Sequence, residues 1–327
     1  MSIQWGIIGT GFIAGKFAED YRFVNEGQIM AVASRSKDRA DAFAKKHQIP
    51  RAYGDYDQLL KDPDIDVVYI ATPHSEHYSN TMSALNQGKA VLCEKPAAVN
   101  ARQLKEMIER ASEGNLLFME AMWTSFLPAI QQARKWIDED IIGRVRMIQA
   151  NFGAHSQTRP GHRLYNPNLA GGALLDIGIY PLVFANTMAG SEPRDIYCLA
   201  SFTETQVDET TSMLMKYKNG ALAQLNCSIK HTTNHTGLIY GTKGHIEIPD
   251  FWRASRATLK TDTKTIEWCD KRESTGYNYQ TDEMNRLLMG HKKQSTIMPP
   301  EWSLRNMEML DEMRRQIGLT YPFEREN

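Results

Sequence analysis

Apolar and polar positions follow two alternating periods along the first third of the chain. A short apolar run, Trp5–Ile8, stops at Gly9-Thr10-Gly11, and Ile13, Phe17 and Tyr21 then recur four apart, the spacing of one helix face. Gln28–Ser34 is a second apolar strand. Behind it, Ser36 can cap a helix that carries Ala40, Phe43, Ala44 and His47 on one side. Asp55 and Gln58 have capping-box spacing before Tyr56–Lys61, and Pro63 closes that helix. Val67–Ala71 is apolar on both faces, as an interior parallel strand must be. A helix from about His77 to Asn86 ends before Gly88, and Ala90–Cys93 is the next strand. Asn100 caps a helix with Leu104, Met107, Ile108 and Ala111 inward, and a strand Leu116–Met119 follows Gly114. Repeated β-α units of this length predict the α/β class, with a doubly wound parallel sheet over residues 1–122.

From about Met122 the pattern changes, so a second domain is drawn over residues 123–327. One helix, Ala129–Glu139, leads into long strand-like segments. Thr211–Tyr217 and Ala221–Ile229 flank Asn219-Gly220, the strongest short hairpin signal. In the second arm Ala223, Leu225, Cys227 and Ile229 alternate with Gln224, Asn226, Ser228 and Lys230, giving one apolar and one polar face. Leu238–Tyr240 and His245–Ile248 form another pair about Gly241–Gly244, with Ala257–Lys260 and Thr265–Trp268 as weaker strands. Helices near Tyr279–Met289 and Trp302–Ile317 close the chain. The second domain is therefore expected to be α+β, built on a mainly antiparallel open sheet. No internal repeat or low-complexity linker interrupts either part.

A length of 327 residues exceeds one ordinary core, which agrees with two domains. A net charge of -1 gives no reason to expect nucleic acid or a membrane surface as partner. The first residues lead straight into a strand with no signal-like segment, and no apolar run approaches the ~20 residues that span a bilayer. Cys93, Cys198, Cys227 and Cys269 lie far apart, without metal-like spacing, and read as free thiols in a reducing cytoplasm. Asn226-Cys227-Ser228 and Asn234-His235-Thr236 match a glycosylation pattern that carries no weight without a secretory signal.

Strand, glycine turn and helix together offer backbone N–H groups and a helix N-terminus to a pyrophosphate. Gly9 makes the tight turn, Gly11 lets phosphates approach the backbone, and Ala14 lets the helix pack on the strand. Gly9, Thr10, Gly11, Phe12 and Ile13 are therefore the expected contacts of a dinucleotide. Where an NAD-binding fold has an acid, the second strand ends Ala33-Ser34-Arg35-Ser36. Ser34 and Arg35, with Arg39 one turn on, suit a 2′-phosphate, so NADP(H) is expected over NAD(H). Ligands of such sheets bind beyond the carboxyl ends of the strands. That places Thr72, Pro73 and His77, and then Glu94 and Lys95, beside the nicotinamide half. A lysine there can polarise a carbonyl or bind an alkoxide; an exposed strand-end lysine is also commonly only solvated.

Four motifs occur in order: Gly9-Thr10-Gly11-Phe12-Ile13-Ala14, Ala71-Thr72-Pro73 with His77, Glu94-Lys95-Pro96, and Gly171-Gly172-Ala173-Leu174-Leu175-Asp176 with Tyr180. Along nearly the whole chain this resembles the glucose–fructose oxidoreductase/inositol dehydrogenase (Gfo/Idh/MocA) family. Met119 through Thr124, Arg163 through Asp176, and tyrosine at 180 resemble its branch of dimeric dihydrodiol dehydrogenases and NADP-linked xylose dehydrogenases. The resemblance implies a two-domain NAD(P)-dependent oxidoreductase with Lys95 in catalysis, and a homodimer formed over the open sheet. Ser125 stands where that branch usually has arginine, which removes a cofactor contact near Trp123.

The residues themselves bear on the same chemistry. Asp176 and Tyr180 are i, i+4 and share a helix face. A tyrosine of pKa about 10 is a poor base at neutral pH, and a nearby ammonium such as Lys95 favours the tyrosinate. Asp176 can orient the substrate or the lysine. The apolar surroundings of Tyr180, before Pro181, equally describe a core residue. Trp123 and Phe152 are candidates for an apolar pocket wall, and Arg163 for substrate contact or for shaping the loop before Gly171. His231 and His235 lie four apart on strand-like sequence, a spacing that builds no shared face, so no metal site is expected. The expected function is an NADP-dependent oxidoreductase acting on a secondary alcohol or ketone of a sugar-like or cyclic diol. The rival is a non-catalytic NADP-binding regulator of the same fold, against which Lys95, Asp176 and Tyr180 together argue.

Overall fold

The computed structural model describes residues 2–156 and 162–324. The chain divides into two compact units, Met1–Trp123 with Glu273–Met307, and Thr124–Arg272 with Glu308–Asn327. In the first, β1 (Gln4–Ile8), α1 (Phe12–Asp20), β2 (Gln28–Ala33), α2 (Lys37–His47) and β3 (Arg51–Tyr53) wind one way. α3 (Tyr56–Leu60), β4 (Val67–Ile70), α4 (His77–Asn86), β5 (Ala90–Glu94), α5 (Ala101–Glu113) and β6 (Phe118–Ala121) wind the other. The six strands are parallel in the order β3-β2-β1-β4-β5-β6, so the winding reverses between β1 and β4. Every residue of β4 is buried, as its two apolar faces require.

Local signals explain most boundaries. Asn100 accepts from the Gln103 N–H and starts α5, and Asp55 accepts from the Asp57 N–H to start α3. Ser36 stands at the start of α2 but makes no side-chain cap bond. β6 begins two residues later than the sequence predicts. Asn115 takes a left-handed turn at φ 52° and the Leu116 N–H still donates to Ala111 O, so the chain is not yet extended.

The return of Glu273–Met307 to the first unit has no local signal. Its helix α8 (Tyr277–Met289) is capped from far away: buried Asp20 accepts from the N–H groups of Thr275, Gly276 and Tyr277. The Trp5 indole donates to Asn285 Oδ1 at 2.9 Å, and Phe17 stacks on Tyr69 at 3.9 Å.

The second unit holds α6 (Pro128–Asp138), β7 (Val145–Gly153), α7 (Ile179–Ala189), β8 (Pro193–Phe202), β9 (Asp208–Tyr217) and β10 (Leu222–Ser228). β11 (Gly237–Gly241), β12 (Gly244–Ile248), β13 (Arg256–Thr261) and β14 (Thr265–Cys269) complete an eight-stranded sheet in the order β14-β13-β12-β11-β7-β10-β9-β8. The sheet is antiparallel except where β10 runs parallel to β7. Asn219-Gly220 makes the β9–β10 turn with Gly220 at φ +86°. Ala223, Leu225 and Cys227 are buried, and Gln224 is exposed. α9 (Pro300–Ile317) starts in the first unit and ends in the second.

The inner sheet face packs on α7, and the fit is close: a Cβ on Gly178 would stand 2.9 Å from Cys227 Sγ. α7 is apolar all round, so the stretch Pro167–Ala189 is long and apolar enough to cross a membrane by composition alone, contrary to the sequence expectation. Its most apolar window is 89% buried inside the protein, the signature of a core helix. A single π turn, Leu174–Gly178, leads into α7 and carries Asp176.

Candidate active site

The carboxyl ends of β1, β2 and β4 open on a cleft of about 910 Å3. Gly9, Thr10, Gly11 and Phe12 line it from the first turn, and Thr72 and Pro73 from the end of β4. Gly9 sits at φ +104°, and a Cβ there would stand 2.7 Å from Ala71 O, so this turn accepts only glycine without a shift. Gly11 differs. Its backbone (φ −78°, ψ −176°) suits any residue, and a Cβ would meet no heavy atom within 4 Å. Its side chain would occupy the cleft itself, and the space at a helix N-terminus is where a pyrophosphate fits. Ile13 is not among the residues lining the cleft.

Ser34, Arg35, Ser36 and Arg39 line the β2 side. Buried Ser34 accepts from Thr10 Oγ1 and the Ser36 N–H, while Arg35 and Arg39 are exposed. Lys16, Lys46 and Tyr56, none of them singled out in the sequence, extend the lining. Glu19 is the acidic lining residue. Its hydrogen bond to Lys16 at 2.8 Å, with Lys46 at 3.6 Å, holds its carboxyl below the usual range. The cleft is thus cationic on the side where a 2′-phosphate is expected.

His77 and Glu94, expected beside the nicotinamide half, are both buried. The His77 ring is fully buried, with Nδ1 2.8 Å from Pro96 O and Nε2 2.9 Å from Thr72 O. Burial pushes its pKa down to about 3, helped by His74 and Lys95, so the ring is neutral and its single N–H donates to one of these two carbonyls. Glu94 is buried, accepting from the Tyr69 hydroxyl and the Lys95 N–H. Both fix the turn around Lys95 from behind. Lys95 itself is half-buried at the end of β5. Nearby Glu120 is buried and its carboxyl pushed up by that burial, with the Ser303 and Ala97 hydrogen bonds and the Lys95 charge opposing.

The second unit gathers its own cluster. Arg163 forks onto Asp176, with Nη1–Oδ1 at 2.9 Å and Nη2–Oδ2 at 3.2 Å. The guanidinium is 48% exposed and the carboxylate 10%, so the pair anchors a nearly buried charge from the solvent side. Tyr180 is buried, edge-on to Phe152 at 5.3 Å and to Trp252 at 6.3 Å. Phe152 and Trp252 stack at 4.8 Å and 15°. The Trp252 indole donates to His235 Nδ1, which leaves Nε2–H to donate to Gly153 O. Sequence reading missed Trp252 and the bracing role of His235. Trp252 lies within a 3-10 turn, Phe251–Arg253, after β12, where no periodicity marks it. Trp123, expected as pocket wall, belongs to the first unit, where it is 1% exposed and stacks on Tyr277 at 4.6 Å. Ser125 is buried, and its carbonyl accepts from Gln131. Among the described residues no three His, Cys, Asp or Glu side chains gather to hold a metal ion.

A parallel sheet with a glycine turn and cleft at its reversal point defines a nucleotide-binding unit of the Rossmann type. The family model described as "Oxidoreductase family, NAD-binding Rossmann fold" matches residues 3–122, and the GFO/IDH/MocA C-terminal domain matches residues 130–247. Trans-1,2-dihydrobenzene-1,2-diol dehydrogenase of Bos taurus is 36% identical over 98% of this chain and 99% of its own. The Homo sapiens enzyme of that name is 35% identical with the same coverage. Among solved structures, an aldose-aldose oxidoreductase from Caulobacter crescentus shares the fold at TM-score 0.89 and 22% identity, over 97% of each chain. A 3-ketoreductase from Actinomadura kijaniata, solved with NADP and TDP-benzene, does so at 0.87 and 24%, over 97% of this chain and 98% of its own. The chain belongs to the Gfo/Idh/MocA family and is an NAD(P)-dependent oxidoreductase.

The two glycines of the first turn separate fold from binding. Gly11→Val is expected to leave stability within about 0.5 kcal/mol of the parent, as substitutions into open space do. It should weaken NAD(P)H roughly tenfold or more, about 1.4 kcal/mol. Thermal unfolding and fluorescence titration check this; unchanged affinity would mean the dinucleotide does not pass over Gly11.

Proposed function

We propose that the chain is an NADP(H)-preferring oxidoreductase for a secondary alcohol or ketone on a sugar-like or cyclic diol substrate. The observation that carries the cofactor preference is the β2 side of the cleft, where Ser34, Arg35, Ser36 and Arg39 stand and the acidic residue, Glu19, is already paired. Diol chemistry comes from the dihydrodiol dehydrogenase relatives. The aromatic wall of Phe152 and Trp252 suits the apolar face of a small ring, and Tyr180 and Asp176 suit its hydroxyls.

When bound, the nicotinamide supplies the hydride acceptor or donor. The chain's own residues handle the proton and the orientation. Tyr180 takes the substrate hydroxyl proton at its phenolic oxygen as the carbinol becomes a carbonyl, and returns it in reverse. The Lys95 ammonium favours the tyrosinate and steadies the substrate oxygen. Asp176, held by Arg163, keeps a fixed carboxylate for a second hydroxyl. Phe152 and Trp252 exclude water from one side, which strengthens these polar contacts.

Arg35→Ala should cost about 1.5–3 kcal/mol in NADPH binding, the worth of a charged hydrogen bond, and little in NADH binding. Equal losses in both titrations would remove Arg35 from 2′-phosphate recognition.

Lys95→Met and Tyr180→Phe should each lower kcat by roughly 10²–10⁴-fold with cofactor affinity little changed. The double variant should be little worse than the worse single, because the two act as a unit. Oxidation should speed up as pH rises through one apparent pKa belonging to the pair, and Lys95→Met should move that pKa upward. Near-full activity of Tyr180→Phe on the true substrate would make Tyr180 a core residue.

A homodimer over the open sheet face is the remaining part of the reading. Tyr197 and Leu214 sit opposite each other on β8 and β9, 68% and 54% exposed, and Leu199 beside them is 80% exposed. Such an exposed apolar patch suits a self-complementary interface. Light scattering at micromolar concentration should give twice 37.2 kDa, and Leu199→Glu should shift it towards the single-chain mass. A parent protein already at the single-chain mass would refute the dimer.

A further inference from the structure

The motif that carries Asp176 and Tyr180 rests on a carboxylate that no part of the proposed chemistry uses. Asp208 opens β9 and is 0% exposed. Its Oδ2 accepts from the Leu174 N–H at 2.7 Å and from Thr211 Oγ1 at 2.7 Å. Leu174 begins the π turn that continues as α7, so the acceptor lies at the head of a helical run from 174 to 189. N–H groups there have no partner within the helix, and an anion at that end is favoured by the helix dipole. Asp176 follows Leu174 by two residues and Tyr180 by six.

The loop before Leu174 is shaped around this carboxylate. Gly172 holds φ +119°, and a Cβ on it would stand 2.2 Å from Asp208 Oδ1. A Cβ on Gly171 would strike Arg163 O at 2.6 Å and Leu164 O at 2.7 Å. The Gly171 carbonyl accepts from the Tyr321 hydroxyl at 2.8 Å, and the Gly172 N–H donates to Leu164 O. The double glycine lets the chain pass between Arg163, whose side chain grips Asp176, and Asp208, which grips the start of the turn.

We propose that Asp208 is a positioning residue for the reaction: by capping the π turn and α7 it sets where Asp176 and Tyr180 stand against the substrate. The proposal rests on the roles given to those two side chains above.

The charge state of the cap is adjustable. Burial raises the Asp208 carboxyl to about 6, against the hydrogen bonds from Thr211 and the Leu174 N–H. The titratable groups facing it are Cys198 on β8, Cys227 on β10 and Tyr321 beyond α9. Burial pushes Cys198 up to about 12 and the other two well above their ordinary values. Tyr321 in turn faces Asp176 and the Arg314–Glu324 pair. Between pH 5 and about 8, roughly the span in which only a group near 6 changes charge, Asp208 alters the charge of this cluster while the thiols and Tyr321 stay neutral. Its folded pKa lies above the usual ~3.9, so its stabilising contribution is full at low pH and is lost as pH rises through about 6. A charge kept at a net cost to stability is what a positioning role explains.

The test uses Asp208→Asn and Thr211→Val in the full chain, with kcat and KM followed from pH 5 to pH 9, NADPH titration, and thermal unfolding at pH 8. Asp208→Asn should lower kcat at least roughly tenfold, leave NADPH affinity unchanged, leave the unfolding temperature at pH 8 no lower, and abolish an acid limb of kcat near pH 6. Thr211→Val removes one donor to the ionised carboxylate and should move that limb upward by about one unit. A folded Asp208→Asn protein with parental kcat and an unmoved acid limb overturns the proposal. So does an activity loss that only follows a lowered unfolding temperature in Asp208→Asn together with an unmoved limb in Thr211→Val. Parallel assays of Asp176→Ala and Tyr180→Phe tell the two readings apart. If these keep full activity the site reading has failed, and if they lose it while Asp208→Asn does not, only the positioning role has.

Discussion

The close approach of two strand ends governs the nucleotide-binding unit. Where β1 stops, the chain turns so near the end of β4 that a single methyl group on Gly9 would press on Ala71 O at 2.7 Å. That contact draws the first turn against the neighbouring strand at the point where the winding of the sheet reverses. Two residues on, the same turn faces open space at Gly11, so crowding and vacancy adjoin. Between the end of β4 and the next strand end, with Lys95, lies buried His77, its ring nitrogens against the Thr72 and Pro96 carbonyls. The ring is neutral, so no charge is buried there, and its single N–H donates to one of the two carbonyls.

The second unit solves a harder problem, holding carboxylates in an apolar interior. Asp176 is paired with a two-pronged guanidinium whose other side stays in water, an arrangement that avoids the desolvation of a fully buried pair. Asp208, fully buried, is raised to about 6 by that burial, against the hydrogen bonds it accepts. The two acids lie at the two ends of one short glycine-rich passage, which is how a motif of small residues governs polar chemistry.

Much of this was legible because it is local. The glycine turn, the fully apolar β4, the Asn100 cap and the Asn219-Gly220 hairpin each depend on a few adjacent residues, and each is found where the sequence placed it. What escaped depends on residues distant in the chain. Asp20 caps a helix some 255 residues away, so the return of Glu273–Met307 left no mark on periodicity. His77 is expected beside the cofactor from its position past the end of β4; only the fold shows two carbonyls closing on it. Trp123 carries the same aromatic signal as Phe152, yet one stacks inside the first unit and the other joins Trp252 in the second. The Arg163–Asp176 fork joins two residues that the sequence offered separately as site candidates and not as partners.

The central claim is that this chain turns over a polyol or cyclic diol with a nicotinamide cofactor, NADP(H) first. Absorbance at about 340 nm, the reduced-nicotinamide band, followed with NADP+ and NAD+ across pentoses, hexoses, inositols and trans-diols, tests it most directly. The account predicts formation of reduced cofactor with at least one of these substrates, faster with NADP+ than with NAD+. A chain that binds NADP(H) yet reduces none with any member of the panel, or that works faster with NAD+, would contradict it.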